Sequence, residues 1–258
     1  KTVSPIISGV PESINNIGFD LKRLSNKYTF SIFSSRFNPN GGSLKNTRLL
    51  TTNLNLAGFN QNLSTSNQED FLIFMGDPIY RTDKSWGYYF NQNFSQYNRY
   101  PILYGPTNHH KFFSEHDYYL FLNPDENSQV DIKQKIFIYN AFLELEKLPE
   151  IKNIFIIAHN LDWQSSKGAE NQENFLISLK KKLSDFPNLN KYIITNNHNL
   201  DKKNQLTNQY KFDEQTKTHY FSYTESIPGY GVRYIQFTVK ENSEVSFEEI
   251  SFNPKVRP

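Results

Sequence analysis

The sequence predicts an α/β fold built on one large mixed sheet or on two stacked sheets. Up to about residue 210, short apolar runs alternate with segments of helical periodicity; beyond it, strand-like alternation continues without helices. No internal repeat and no break in composition divides the chain. Residues 28–258 are therefore expected to form a single domain, behind an irregular arm at 1–27 that lacks clear periodicity and suits docking or assembly.

Each element has its own local signal. "YTFSIFSS" (28–35) is a β-type run that ends in small polar residues, and "FLIFM" (71–75) is a buried strand broken by Gly76. Between them, 43–59 carries spaced leucines with a Gly near its end, which predicts a helix and its stop. Trp86, Tyr89, Phe90, Phe94 and Tyr97 fall at helical spacing over 83–97. "PILY" (101–104) and "DYYLFLN" (117–123) read as strands, and 129–148 is the longest expected helix, marked by Ile132, Ile136, Phe142 and Leu145. "IFIIA" (154–158) and "YIIT" (192–195) are strands flanking a helix at 171–184 with a lysine-rich outer face. The final strands are 219–224, 232–239 and 244–250, with "PGYG" (228–231) as a turn.

Composition narrows the function classes. Aromatic residues make up 16% of the chain, so Phe and Tyr should dominate the core. A net charge of +2, with both signs scattered, gives neither a basic stripe for nucleic acid nor a membrane-surface patch. No stretch is long and apolar enough for a membrane-spanning helix. With no cysteine, disulfides, thiolate metal sites and cysteine nucleophiles are all excluded, and any metal must be held by His, Asp, Glu, Asn or backbone. The chain begins "KTVSPIISG" without a Met, which leads to the expectation of a processed, secreted or extracytoplasmic form.

Four apolar runs each lead into a polar cluster: "FLIFMGD" to Asp77, "PILYGPTNHH" to Asn108 and His109, "IFIIAH" to His159, and "YIITNNH" to His198. Ligand sites of open α/β sheets gather at the carboxyl ends of strands. Asp, Asn and two His on such ends form a donor set suited to a divalent metal with borderline oxygen and nitrogen preferences. Singly, each residue has a plainer reading: Asp77 as a cap, Asn108 as a turn residue, each histidine as a hydrogen-bonded structural group. Recurrence at four strand ends is what points to a site.

In this order the clusters resemble the motifs of the calcineurin-like metallophosphoesterase superfamily. "GDPIY" (76–80) resembles its Gly-Asp-x-x-Asp motif, "TNHH" (107–110) its Gly-Asn-His-Asp/Glu motif, His159 its lone histidine, and "NNHNL" (196–200) part of its Gly-His-x-His motif. The resemblance runs over about 28–250 and implies a four-layer sandwich, two mixed sheets face to face with helices outside. It also implies a metal held by Asp77, Asn108, His159 and His198, with His109 contacting a substrate phosphate and protonating the leaving group.

The family's first metal site keeps only its bridging carboxylate, Asp77, here. Ser34, Ser35 and Arg36 stand where Asp-x-His is expected, Tyr80 replaces the second acid, and Leu200 replaces the last histidine. The resemblance thus implies one divalent ion at most (Zn, Mn or Fe). Arg36 either occupies the vacated charge niche and binds phosphate, or pairs with Asp77 and closes the site. Two functions follow as expectations: a weak or altered single-metal phosphoester hydrolase acting on a phosphorylated small molecule or protein, or an inactive binding or assembly module. Arg81, Asp83 and Trp86 are candidate pocket-rim residues, and Asp83 or His116 is a candidate substitute ligand. His110, at the acidic position ending its motif, reads as a residue supporting the site or a surface residue. The resemblance implies substrate contact in the loop of Asp162 and Trp163.

Overall fold

The computed structural model describes residues 27–34, 70–75, 102–104, 109–114, 116–124, 130–159, 175–196, 209–223 and 232–252. The chain is α/β, with two mixed sheets and helices, in two compact units. One unit carries a five-stranded sheet of β1 (Tyr28–Ser34), β2 (Phe71–Met75), β3 (Ile102–Tyr104), β10 (Val232–Val239) and β11 (Val245–Phe252). Its order is β11-β10-β1-β2-β3, with β1, β2 and β3 parallel and β10 and β11 antiparallel.

Aromatic rings set the register of this sheet. Phe30 lies opposite both Phe71 and Phe237, with ring centroids 5.0 Å away on each side, and Phe237 lies opposite Phe247 at 6.1 Å. Asp70 fastens the entry to β2: its carboxylate accepts from the Thr29 amide at 2.8 Å, and its own amide donates to the Thr29 carbonyl at 2.7 Å. The β10–β11 turn needs Ser243 at a φ of 62°, a left-handed conformation, and is braced by Lys240 and Glu244 at 2.9 Å.

The other unit holds a six-stranded sheet and two described helices. Its strands are β4 (His110–Phe113), β5 (Asp117–Leu122), β6 (Asn153–His159), β7 (Asn190–Asn196), β8 (Gln209–Asp213) and β9 (Thr218–Tyr223). Its helices are α1 (Ile132–Leu145) and α2 (Phe175–Ser184). The sheet order is β4-β5-β6-β7-β9-β8; the four central strands are parallel and both edge strands antiparallel. One face meets the helices, where Leu120 and Ile156 join Ile138 and Phe142 of α1 and Leu179 and Leu183 of α2 in a common core.

The opposite face carries an aromatic row across all six strands. Phe112, Tyr119, Phe155, Tyr192, His219 and Phe212 lie opposite one another in register. Successive ring centroids are 4.4, 4.8, 4.7, 4.8 and 4.4 Å apart. That spacing matches the separation of neighbouring strands, so the rings from Phe112 to His219 stack, and Phe212 packs tilted at 33° on His219, without distorting the ladder. Tyr119 and Phe155 on this face are as fully buried as Leu120 and Ile156 on the other, which is why these parallel strands read as continuous apolar runs.

Polar groups anchor the margins. At the amino ends of the parallel strands, Asn153 donates to Asp117 at 2.7 Å and Asn190 to Asn153 at 3.0 Å, a buried row that satisfies its own members. Lys191, also buried, donates to the carbonyls of Leu189 and Thr216 at 3.0 and 2.8 Å. Helix α1 starts where Asp131 accepts from the Gln134 amide at 2.7 Å. Gln134 in turn clamps the exit of β5, accepting from the Asn123 amide at 2.7 Å and donating to its carbonyl at 2.9 Å. Edge strand β4 is tied down by Glu144 of α1, which pairs with Lys111 and accepts from the Tyr118 hydroxyl at 2.7 Å.

The expected strands at 28–35, 71–75, 101–104, 117–123, 154–158, 192–195, 219–224, 232–239 and 244–250 form within a residue or two of their expected bounds. The helix expected over 129–148 occupies 132–145, and the one expected over 171–184 begins its described part at Phe175. Two strands are additions. "HKFF" is too short and too close to "TNHH" to stand out, and "QYKFD" is an edge strand that leaves Tyr210, Lys211 and Phe212 exposed. The expected helices at 43–59 and 83–97, the "PGYG" turn and all of the 1–27 arm but Lys27 lie outside the described residues. No helix among the described residues is long and apolar enough to cross a membrane.

Two predictions follow from these anchors. Burial pushes the Glu144 carboxyl upward, but hydrogen bonds from Lys111 and Tyr118, with the charges of Lys111 and Lys147, outweigh it and hold the carboxyl below its ordinary range. Glu144→Ala removes this tie while leaving the Tyr118 hydroxyl 3.4 Å from the Ala141 carbonyl. The expected loss is about 1–2 kcal/mol in urea unfolding, with faster amide exchange in β4; unchanged stability and exchange would contradict the anchoring role. His219, held below its ordinary value by burial, takes up a proton less readily folded than unfolded. Its contribution is complete above the unfolded value of 6.5 and declines as pH falls through that value toward the lower folded one. Stability should therefore drop between about pH 7 and pH 5, and His219→Phe, which keeps a ring in the row, should flatten that drop.

Candidate functional site

The carboxyl edge of the six-stranded sheet is assembled by register. β5, β6 and β7 run parallel, with Leu122 opposite Ala158, Ala158 opposite Thr195, and His159 opposite Asn196. His159 is thus the last residue of β6, and His198 follows two residues after the end of its neighbour β7. β4 runs the other way and enters at this same edge, since His110 pairs with Phe121, near the end of β5. His109, immediately before β4, therefore sits at the edge where β6 and β7 end.

Neighbouring side chains of a strand point to opposite faces, and this separates the two histidines of "TNHH". The His109 ring lies 4.6 Å from that of Phe137 on α1, on the helix side of the sheet, and remains partly exposed. His110 stacks on Phe121 at 4.2 Å with an interplanar angle of 9°. Phe121 stands two residues from Tyr119 on its strand and so shares the face of the aromatic row. The pair is not a chelating unit: one ring borders the helix and the other extends the aromatic face. Lys111, next along, returns to the helix side to meet Glu144.

The five-stranded sheet repeats the arrangement. Ser34 and Met75 are paired at the ends of parallel strands β1 and β2. Arg36 and Asp77 each follow two residues after those ends, and Asn108 comes four residues after β3. Arg36, Asp77, Asn108 and His198 lie outside the described residues, as does the side chain of His159. Arg81, Asp83, Trp86, Asp162 and Trp163 lie outside them too. Among the described residues, no three His, Asp or Glu side chains gather as a metal site.

His116 is a correction to the sequence reading. It precedes β5 and so stands at the amino edge, opposite the edge of His109 and His159, with Nδ1 3.1 Å from the Glu150 carbonyl. Its own carbonyl accepts from the amides of Lys152 and Asn153. This is a structural joint at the amino edge of the sheet, away from His109 and His159. The contacts that secure β4, the exit of β5 and the His109 ring were not foreseen. Gln134, Lys111, Glu144 and Phe137 act through partners 11 to 33 residues away, a separation with no local sequence signature.

No protein-family model matches the chain, and no curated protein does. Solved structures give distant likenesses. A protein of Staphylococcus aureus assigned as a 5′-nucleotidase, solved in complex with α-ketoglutarate, is 13% identical with a TM-score of 0.48; the match covers 90% of this chain and 55% of that one. The NAD nucleotidase of Haemophilus influenzae is 10% identical with a TM-score of 0.43, over 88% of this chain and 57% of the other. The chain thus spans a little over half the length of these two nucleotidases.

Proposed function

We propose that the chain is a divergent phosphoester hydrolase of the metallophosphoesterase type, acting on a phosphorylated small molecule with one divalent ion at most. One observation carries this reading. The four candidate ligands follow the carboxyl ends of two pairs of neighbouring parallel strands, one pair in each sheet: Asp77 and Asn108 after β2 and β3, His159 and His198 at or after β6 and β7. A carboxylate, an amide oxygen and two imidazoles suit Zn, Mn or Fe. When bound, such an ion supplies charge neutralisation for a phosphate and lowers the pKa of a coordinated water.

The remaining roles fall to side chains. Arg36 follows β1 at the same remove as Asp77 follows β2, and its guanidinium can bind two phosphate oxygens at once. His109, partly exposed and backed by Phe137, donates a proton to the leaving oxygen. In the proposed single domain, behind its 1–27 arm, the other metal position stays empty because Ser34, Ser35, Tyr80 and Leu200 offer no ligand set for it. The same substitutions favour a second reading, a secreted binding or assembly module that keeps the fold without turnover.

Elemental analysis of wild type and His159→Ala, purified without chelator, separates these readings. The hydrolase should carry about one equivalent of metal that His159→Ala loses. It should also cleave p-nitrophenyl phosphate or nucleoside monophosphates, with turnover falling about a hundredfold in His109→Ala at unchanged metal content. Metal without hydrolysis supports the module. No metal in either protein after incubation with Zn, Mn and Fe salts overturns the single-metal site.

A further inference from the structure

Helix α1 has two apolar faces, and the sheet uses one. Gln134, Ile138, Ala141, Phe142 and Leu145 are buried inward. On the outer side, Ile132, Ile136, Tyr139 and Leu143 are 69, 55, 56 and 37% exposed. Isolated exposed apolar residues are ordinary, but these four are spaced 4, 3 and 4 apart. That is the spacing of a coiled-coil seam, and it forms one stripe about 16 Å long.

The charges beside the stripe run against the helix dipole. Lys133 and Lys135 stand near the amino end and Glu144 and Glu146 near the carboxyl end, with no acid in the first turn and no base in the last. Lys135 and Glu146 are eleven residues apart, about three turns, so they lie on the same flank of the stripe. No ion pair among the described residues engages either of them. In an antiparallel pair of identical helices, same-flank residues from opposite ends face one another. Lys135 of each copy then meets Glu146 of the other, and Ile136 packs near the other copy's Leu143. A hollow of about 230 Å³ between α1 and α2, lined by Lys135, Tyr139, Phe142 and Leu179, borders that flank and can receive an apolar side chain.

We infer that two copies of this chain associate through antiparallel pairing of α1, with the Lys135–Glu146 contact made twice across a two-fold axis. The pattern selects a second copy because the stripe's charges complement their own reversal. One helix pair is a small interface, so association depends on concentration.

The test is sedimentation velocity of the full chain over a range of concentrations, with circular dichroism as a check on folding. Wild type should form a concentration-dependent dimer. Ile136→Glu, at an exposed position, should weaken it by about tenfold or more without unfolding the chain. Lys135→Glu and Glu146→Lys should each weaken it about threefold, and the double variant Lys135→Glu/Glu146→Lys should restore it, because swapping both ends recreates each contact. A wild type that stays monomeric throughout overturns the proposal. A dimer indifferent to Ile136→Glu, or a charge swap that fails to rescue, assigns any association to another surface or another helix orientation, and overturns it as well.

Discussion

Everything at the carboxyl edge of the six-stranded sheet depends on the ring-on-ring row from Phe112 to Phe212. Six side chains from six strands stack at 4.4 to 4.8 Å, the natural separation of strands, and a slip of one residue at any pairing would break the row. Such a slip would also send the buried residues of one face to the other. The register fixed at Tyr119, Phe155 and Tyr192 propagates along each strand, four residues on from Phe155 and Tyr192, to His159 opposite Asn196. The place of His159 at the end of β6 is therefore a consequence of aromatic packing in the middle of the sheet.

This explains which parts of the fold were legible. "IFIIA" and the core of "YIIT" announce themselves because a strand buried on both faces is apolar at nearly every position. His159 was found in this way, and β6 does end on it. Edge strands carry no such constraint. "HKFF" pairs with β5 on one side only and "QYKFD" with β9 on one side only, so their composition is that of a surface. The question of "TNHH" likewise turned on β4: only a strand starting at His110 separates the two rings. Long-range ties such as Lys111 to Glu144 and Asn153 to Asp117 join residues that share no local pattern, and the buried Lys191 gives no sequence sign that two carbonyls await it. Arg36, Asp77, Asn108 and His198 rest on the order of motifs alone, since they fall beyond the described strand ends.

The electrostatics of the proposed site follow from what replaced the lost ligands. A carboxylate and an imidazole bring a metal; an arginine in that place brings a fixed cation without a Lewis acid. Arg36 can still compensate phosphate charge, so binding is better preserved than activation of water. If Arg36 pairs with Asp77, the guanidinium neutralises the carboxylate that the proposed single metal needs, and both functions would fall together. In the proposed site, metal binding and phosphate binding would thus be coupled through Asp77.

Helix α1 is where the two proposals meet, and its geometry keeps them separable. Phe137 backs His109 and Glu144 ties β4, while Ile136 and Leu143, their immediate neighbours in sequence, belong to the exposed stripe. Adjacent helix positions differ by about 100° in direction. A change at Ile136 therefore reaches the outer surface without touching the ring that supports His109, and a change at Phe137 does the reverse. Association and the histidine's position share a scaffold but not a contact, so an effect of one on the other must pass through movement of the whole helix. Against that movement stand the Gln134 clamp at its amino end and the Glu144 tie at its carboxyl end.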